Sequence, residues 1–184
     1  LILNGDTFDF LKAPYMKDGT KTFPRHISSE ISLQKIEGIK SAHIKVFKAL
    51  TNFAKKPHNR IYFIIGNHDL DLNHKEVQDK IKEFLKSTKN VLFTTCYEEF
   101  KVYAEHGHEY DFLQKVNMSN IYLTYKKKTV INFPWVSLSL MTNFMFMKEK
   151  HPFLERISPQ PILFTAHKPI LHKLVWEAFK YLFM

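Results

Sequence analysis

Apolar positions along this chain keep two rhythms, one of short unbroken runs and one of three- and four-residue spacing, and polar clusters fall where the runs stop. Leu1, Ile2 and Leu3 form a short apolar run ending at Asn4-Gly5-Asp6, the signature of the end of a buried strand. Residues 10–25 hold Pro14, Gly19, Pro24 and scattered charge, and read as a loop. Ser28 or Ser29 can cap a helix with Glu30 in its first turn. Ile36, Ile39, His43, Val46, Leu50 and Phe53 then mark one helical face, which Pro57 and Asn59 end. Residues 60–65 read as a nearly all-apolar strand stopped by Gly66. Strand, helix and strand in this order predict a right-handed crossover between parallel strands.

The same grammar continues with a second helix marked by Val77, Ile81, Phe84 and Leu85, with His74 at its start; His58 falls in a loop. Val91, Leu92 and Phe93 give a third strand. Phe100, Val102 and Ala104, alternating with Lys101 and Tyr103, give a fourth that ends at Glu105-His106-Gly107. After that the pattern changes. Residues 131–147 carry no charge but include Pro134 and Trp135, too short and too broken for a membrane span. A buried pair of helices is favoured there over a lid, an acyl-chain groove or a membrane-surface patch. From Ile170 the residues Leu171, Leu174, Val175, Ala178, Phe179, Leu182 and Phe183 form a helical stripe, with Lys173 and Lys180 on its polar side. The chain is thus expected to be one α/β domain, 1–184, in which 112–184 is a largely helical insertion or lid.

Composition changes this picture little. Apolar content of 45% and charged content of 24% are ordinary for a globular protein, and 17 Phe point to a core rich in aromatic area. The net charge of +9 favours anionic partners, although the lysines are spread rather than blocked. Lys126-Lys127-Lys128 reads as a solvated face, with phosphate steering as its alternative. No basic stripe interleaved with aromatics is present, which argues against a nucleic-acid binder. A single cysteine, Cys96, excludes an internal disulfide framework.

The chemistry lies in three clusters at strand ends: Gly5-Asp6-Thr7-Phe8-Asp9, Gly66-Asn67-His68-Asp69 and His106-Gly107-His108. If the strands are parallel, all three reach one sheet edge, where open α/β sheets bind their ligands. Asp, Asn and His are ligands for divalent first-row metals, and the glycines allow close backbone approach. Singly, Asp6 or Asp69 is as well explained as a helix or turn cap; together, the clusters point to a metal centre. A pair of cations can activate water and neutralise phosphoryl charge. Asp6 is the candidate bridging carboxylate, with Asn67 and His106 offering an amide oxygen and an imidazole nitrogen. His68 is then the candidate proton donor to the leaving oxygen, with Asp69 orienting its ring. His108 is open between substrate contact and packing. His43 reads as a hydrogen-bonded core histidine, and His26, His151, His167 and His172 receive no role.

Gly5-Asp6-x-x-Asp9, then Gly66-Asn67-His68-Asp69 and a later His106-Gly107, resembles the signature of the calcineurin-like metallophosphoesterases over residues 1 to about 111. The resemblance implies a four-layered α/β/β/α sandwich and a centre of two divalent ions, manganese first, zinc or iron as alternatives. It implies that Asp6 bridges the metals, Asn67 and His106 ligate one, His68 and Asp69 are catalytic, and Asp9 fixes the turn from outside the ligand set. The family's opening Asp-x-His and closing Gly-His-x-His are expected beyond the two ends; Thr165-Ala166-His167-Lys168-Pro169 is the nearest internal approach to the latter. The implied reaction is hydrolysis of a phosphoester or pyrophosphate. A looser likeness, to the branch that cleaves UDP-diacylglucosamine, adds a lipid-linked pyrophosphate as alternative substrate, with peripheral contact at the inner membrane face of a cytoplasmic protein. A degenerate, non-catalytic binding module or scaffold is the remaining alternative.

Overall fold

In a computed structural model, the described residues are 1–139 and, beyond them, Met141, Phe144, Met145, Lys148, Pro152, Lys168, Pro169, 171–173, Val175 and Trp176. Most of the stripe expected from Ile170 onward, and His151 and His167, lie outside them. Three short strands, β1 (Ile2–Asn4), β4 (Ile61–Ile64) and β5 (Val91–Thr94), form a parallel sheet in the order β1-β4-β5. Ile61, Phe63, Ile64 and Val91 are buried. Their unbroken apolar runs are those of strands covered on both faces. The fold is therefore mixed α/β, as expected from the alternation of runs and helical spacings.

Helices α1 (Ser29–Ala42), α2 (Ile44–Ala54) and α3 (Lys75–Leu85) follow. Val77, Ile81 and Leu85 of α3 face the core at the predicted spacing, and His74 sits at its N-cap. The expected single helix over 29–57 is corrected: the chain breaks at His43, whose φ of −123° and ψ of 39° are not helical. Ile44 and Val46 are consequently 64% and 54% exposed, and only Phe47 and Ala54 of α2 are buried. His43 is exposed, not a core histidine.

The remaining elements are antiparallel hairpins. β2 (Tyr15–Lys17) pairs with β3 (Thr20–Thr22), within the stretch read as loop. β6 (Cys96–Glu99) pairs with β7 (Val102–Glu105), and β8 (Tyr122–Tyr125) with β9 (Lys128–Ile131). Each turns on two residues at positive φ, Asp18-Gly19, Phe100-Lys101 and Lys126-Lys127, the backbone form that suits the twist of a two-residue hairpin. The fourth predicted strand is thus one arm of a hairpin rather than a member of the parallel sheet, and Phe100 is its 87% exposed tip. Of the three lysines 126–128, the first two make the turn and Lys128 opens β9. Between 112 and 139 the chain forms β8, β9 and the short helix α4 (Trp135–Ser139), so the largely helical reading is corrected for that stretch. Val116, Val130, Ile131 and Phe133 there are buried, and all but Val130 join the main core.

Five of the 17 phenylalanines form a pillar beneath the loop after β1. Phe63 stacks between Phe8 and Phe93 with centroids 5.2 Å from each, and Phe10 and Phe47 flank Phe8 at 5.8 and 6.1 Å. Aromatic contacts of this kind add about 0.5–1.5 kcal/mol each beyond the area they bury. No described helix is long and apolar enough to cross a membrane.

Candidate metal centre

Parallel pairing places the first two clusters side by side. Asn4 is in register with Ile64, so the chain leaves β1 and β4 at the same level. Asp6 and Gly66 are then in close contact: a Cβ on Gly66 would sit 2.2 Å from Asp6 Oδ1 and 2.6 Å from its backbone nitrogen. Only glycine permits that approach.

The two loops are laced together. The His68 amide donates to Asp6 Oδ1 at 3.0 Å, and the Leu11 amide donates to the His68 carbonyl at 3.3 Å. The amides of Phe8 and Phe10 donate to the Asp69 carboxylate at 3.1 and 3.4 Å. From below, the fully buried Lys35 of α1 donates its ammonium to the Phe10 carbonyl at 3.0 Å. These bonds hold Asp6 and Asp9 at positive φ, 46° and 50°, where side chains other than Asn and Asp are seldom found.

His106 arrives from the opposite side, on the hairpin β6–β7. Its Nδ1 bonds the Asn4 carbonyl at 3.0 Å, and since a carbonyl only accepts, Nδ1 carries the proton. The ring lies so close over Gly5 that a Cβ there would meet Nδ1 at 2.1 Å. Nε2 lies 3.1 Å from Asn67 Oδ1 and 3.3 Å from Asp6 Oδ2. The Asn67 amide nitrogen donates to Gln114 Oε1 at 2.5 Å, which turns Oδ1 toward the histidine.

One imidazole nitrogen thus faces an amide oxygen and a carboxylate oxygen. Neighbouring ligands around a cation with bonds of about 2.0–2.2 Å are separated by about 3.0–3.5 Å, and that is the spacing of Nε2 from each of the two oxygens. The donor set of carboxylate, amide and imidazole fits a divalent first-row ion. Among the described residues no group of three His, Cys, Asp or Glu side chains has metal-binding geometry.

The expectation for His68 and its partner is corrected. His68 Nδ1 bonds Asp9 Oδ1 at 2.7 Å, whereas the two Asp69 oxygens accept from the Phe8 and Phe10 amides. Asp69 is fully buried and serves the backbone of the preceding loop. Adjacency in sequence misled here: the backbone turn sends neighbouring side chains in opposite directions. Burial draws the His68 pKa down, but the Asp9 hydrogen bond and the charges of Asp6 and Asp9 outweigh it and the net shift is upward. Burial raises Asp9, but His68 and Lys12, whose Nζ is 3.0 Å away, bring it below the usual range. Desolvation pushes the Asp69 carboxyl up to about 7, against the pull of the backbone amides of Phe8, Phe10 and Thr7.

His108 packs beside His106 with ring centroids 5.4 Å apart and its side chain only 9% exposed. Its Nε2 lies 3.2 Å from Glu109 Oε1, and burial lowers its pKa. Two contributors were not visible in sequence. Gln114 carries no motif, and the Asn4 carbonyl is a backbone atom.

The parallel sheet brings candidate ligand side chains to its strand ends, facing an imidazole from a hairpin, an arrangement open to a metal ion in an α/β protein. The family model for calcineurin-like phosphoesterases matches residues 1–182, and the chain belongs to that family. Its members are phosphoesterases that generally use two divalent metal ions. No curated protein and no solved structure matches the chain significantly.

Proposed function

We propose that this chain hydrolyses a phosphoester or pyrophosphate at a divalent-metal centre in which Asp6, Asn67 and His106 are ligands, with manganese the first candidate and zinc or iron the alternatives. The observation that carries this reading is the meeting at His106 Nε2 of Asn67 Oδ1, 3.1 Å away, and Asp6 Oδ2, 3.3 Å away. Bound cations there supply positive charge for the phosphoryl oxygens and Lewis acidity that lowers the pKa of water. Asp6, with one oxygen toward His106 and the other bonded to the His68 amide, is the bridging candidate.

The chain's own proton chemistry falls to His68. Asp9 occupies Nδ1, so Nε2 is the nitrogen left for substrate. With its pKa raised by the Asp9 hydrogen bond and the charges of Asp6 and Asp9, it is the group suited to donate to the leaving oxygen as the bond from phosphorus to that oxygen breaks. A water oxygen joins phosphorus and its proton passes to solvent. Asp69 has no part in this step. It keeps the Asp9 loop in place.

Dialysis against a chelator should abolish hydrolysis of 4-nitrophenyl phosphate, and Mn2+ should restore it. Turnover that survives complete metal removal would contradict the reading. A lipid-linked pyrophosphate is the second reading, favoured by Tyr110, Phe112 and Leu113, which are 78%, 94% and 57% exposed next to Gln114. It predicts turnover that rises several-fold with anionic liposomes; indifference to lipid would remove it.

A further inference from the structure

Helix α1 buries only Ser32, Lys35 and Ile36, and the first two of these are polar. Ser32 and Lys35 stand three residues apart, on one face of the helix. Asp71, in the loop after Asp69, is fully buried beside them. Burial lowers the Lys35 pKa against the pull of the Asp71 carboxylate, and it raises the Asp71 pKa against Lys35 and the Ser32 hydroxyl. Two buried charges lose in hydration about what their attraction returns, and apolar residues of similar volume fold a core as well. Stability therefore explains little of this choice of residues. Their partners explain more.

The face carrying Ser32 and Lys35 reaches both loops of the site. The Lys35 ammonium donates to the Phe10 carbonyl at 3.0 Å, one residue beyond Asp9. The Ser32 hydroxyl donates to Asp71 Oδ1 at 2.6 Å, three residues beyond His68. Between these anchors the two loops touch directly. The Leu11 amide donates to the His68 carbonyl at 3.3 Å, and Asp9 Oδ1 meets His68 Nδ1 at 2.7 Å. The Asp9 contact sets the rotation of the imidazole, and with it the direction of Nε2. Helix α1 is thus a splint across the two segments whose meeting orients the proton donor.

We propose that Lys35 is a positioning residue for proton transfer: from the core, through the Phe10 carbonyl, it fixes the Asp9 loop against the loop of His68, with Ser32 and Asp71 as the second anchor. This deepens the hydrolase reading and rests on it. In the step, a water oxygen joins phosphorus, the bond from phosphorus to the leaving oxygen breaks, and that oxygen takes the proton from His68. A leaving group that is stable as an anion departs without that proton. A poor anion needs it.

The test uses the full chain with Mn2+ and two esters, phenyl phosphate, whose leaving oxygen needs the proton, and 2,4-dinitrophenyl phosphate, whose leaving oxygen does not. Lys35→Met keeps the length of the side chain and removes its donor. Lys35→Met combined with Asp71→Asn removes both buried charges, and it carries the test where the single variant does not fold. Each folded variant should lose ~10²-fold in kcat on phenyl phosphate, the size of loss that a misplacement of about 1 Å brings. Its kcat on the dinitrophenyl ester and its calorimetric Mn2+ affinity should stay at the wild-type values. Equal losses on the two esters, a loss that follows weakened Mn2+ binding, or no loss at all would overturn the positioning role, as would failure of both variants to fold. The underlying reading is judged on other proteins in the same assay. It fails if the wild type turns over neither ester with Mn2+, Zn2+ or Fe2+, and the donor role of His68 fails if His68→Ala slows both esters alike; the positioning role falls with either.

Discussion

Asp6, Asn67 and His68 stand on loops that follow two paired strands of the parallel sheet, over a stacked column of Phe8, Phe63 and Phe93. His106 stands at the end of a two-stranded hairpin whose tip, Phe100, is 87% exposed and whose Tyr103 is 55% exposed. The first bank is fixed by the same burial that folds the domain. The second is held near the site by a bond to the Asn4 carbonyl and by contact of the ring with Gly5. A two-stranded hairpin has little stability of its own. A metal ion between the banks would therefore do most for the order of the hairpin, and damage to either bank should have distinguishable consequences.

The largest effect is expected from Asp6→Ala, which removes the carboxylate facing both banks. Metal affinity should fall by more than the ~10–100-fold typical of losing an outer partner of a ligand, and metal-dependent turnover should vanish with it. Full metal content by elemental analysis would contradict the role of Asp6. His68→Ala should leave metal content near normal while lowering turnover by ~10²–10⁴-fold, the usual cost of a lost general acid. Unchanged turnover would remove His68 from the chemistry.

Gly5→Ala sharpens the comparison, because it pushes on the hairpin bank alone. A Cβ at Gly5, already at φ +83°, would strike the His106 ring. Displaced in this way, His106 should weaken metal binding by ~10–100-fold, an effect of the size seen when a ligand's support is lost. Calorimetric titration with Mn2+ measures it, and affinity equal to the wild type's would mean that His106 is not a ligand.

The smallest effect concerns the buried bank. Asp69, with its pKa raised to about 7, stays protonated in the folded metal-free protein while the unfolded chain ionises near pH 3.9. Its contribution to stability is complete below that value and is lost as pH rises toward 7, by up to ~1.4 kcal/mol per pH unit. Asp69→Asn cannot ionise, so its stability relative to the wild type should rise between pH 5 and 7 and level off above. Denaturant titrations at several pH values read this, and parallel curves would show that Asp69 is ionised throughout.

The core bank was legible in sequence because its signals are local. Unbroken apolar runs gave β1, β4 and β5, and the glycines at their ends marked where Asp6 and Asn67 turn toward one edge. His106 was also found, although for the wrong structural reason, since it arrives on an antiparallel hairpin and not on a parallel strand. The exchange of roles between Asp9 and Asp69 was not legible. It depends on a loop at positive φ aiming one carboxylate at the His68 ring while burial turns the other inward. The break of α1 from α2 at His43 has no proline or glycine to announce it. The turn at Asp18-Gly19 did carry a recognisable hairpin pair, whereas Lys126-Lys127 has no residue that favours positive φ. Gln114 acts through one amide contact that no pattern encodes.

The convergence of Asp6, Asn67 and His106 on one cation is most directly tested by adding Mn2+ in substoichiometric steps to isotopically labelled protein. Paramagnetic broadening falls off steeply with distance from the ion. The Asn67 side-chain amide and the His106 ring should disappear first and together, while signals from the far end of α3, such as Leu85, stay sharp. If Asn67 and His106 remain visible after Mn2+ has bound elsewhere, the centre described here does not exist.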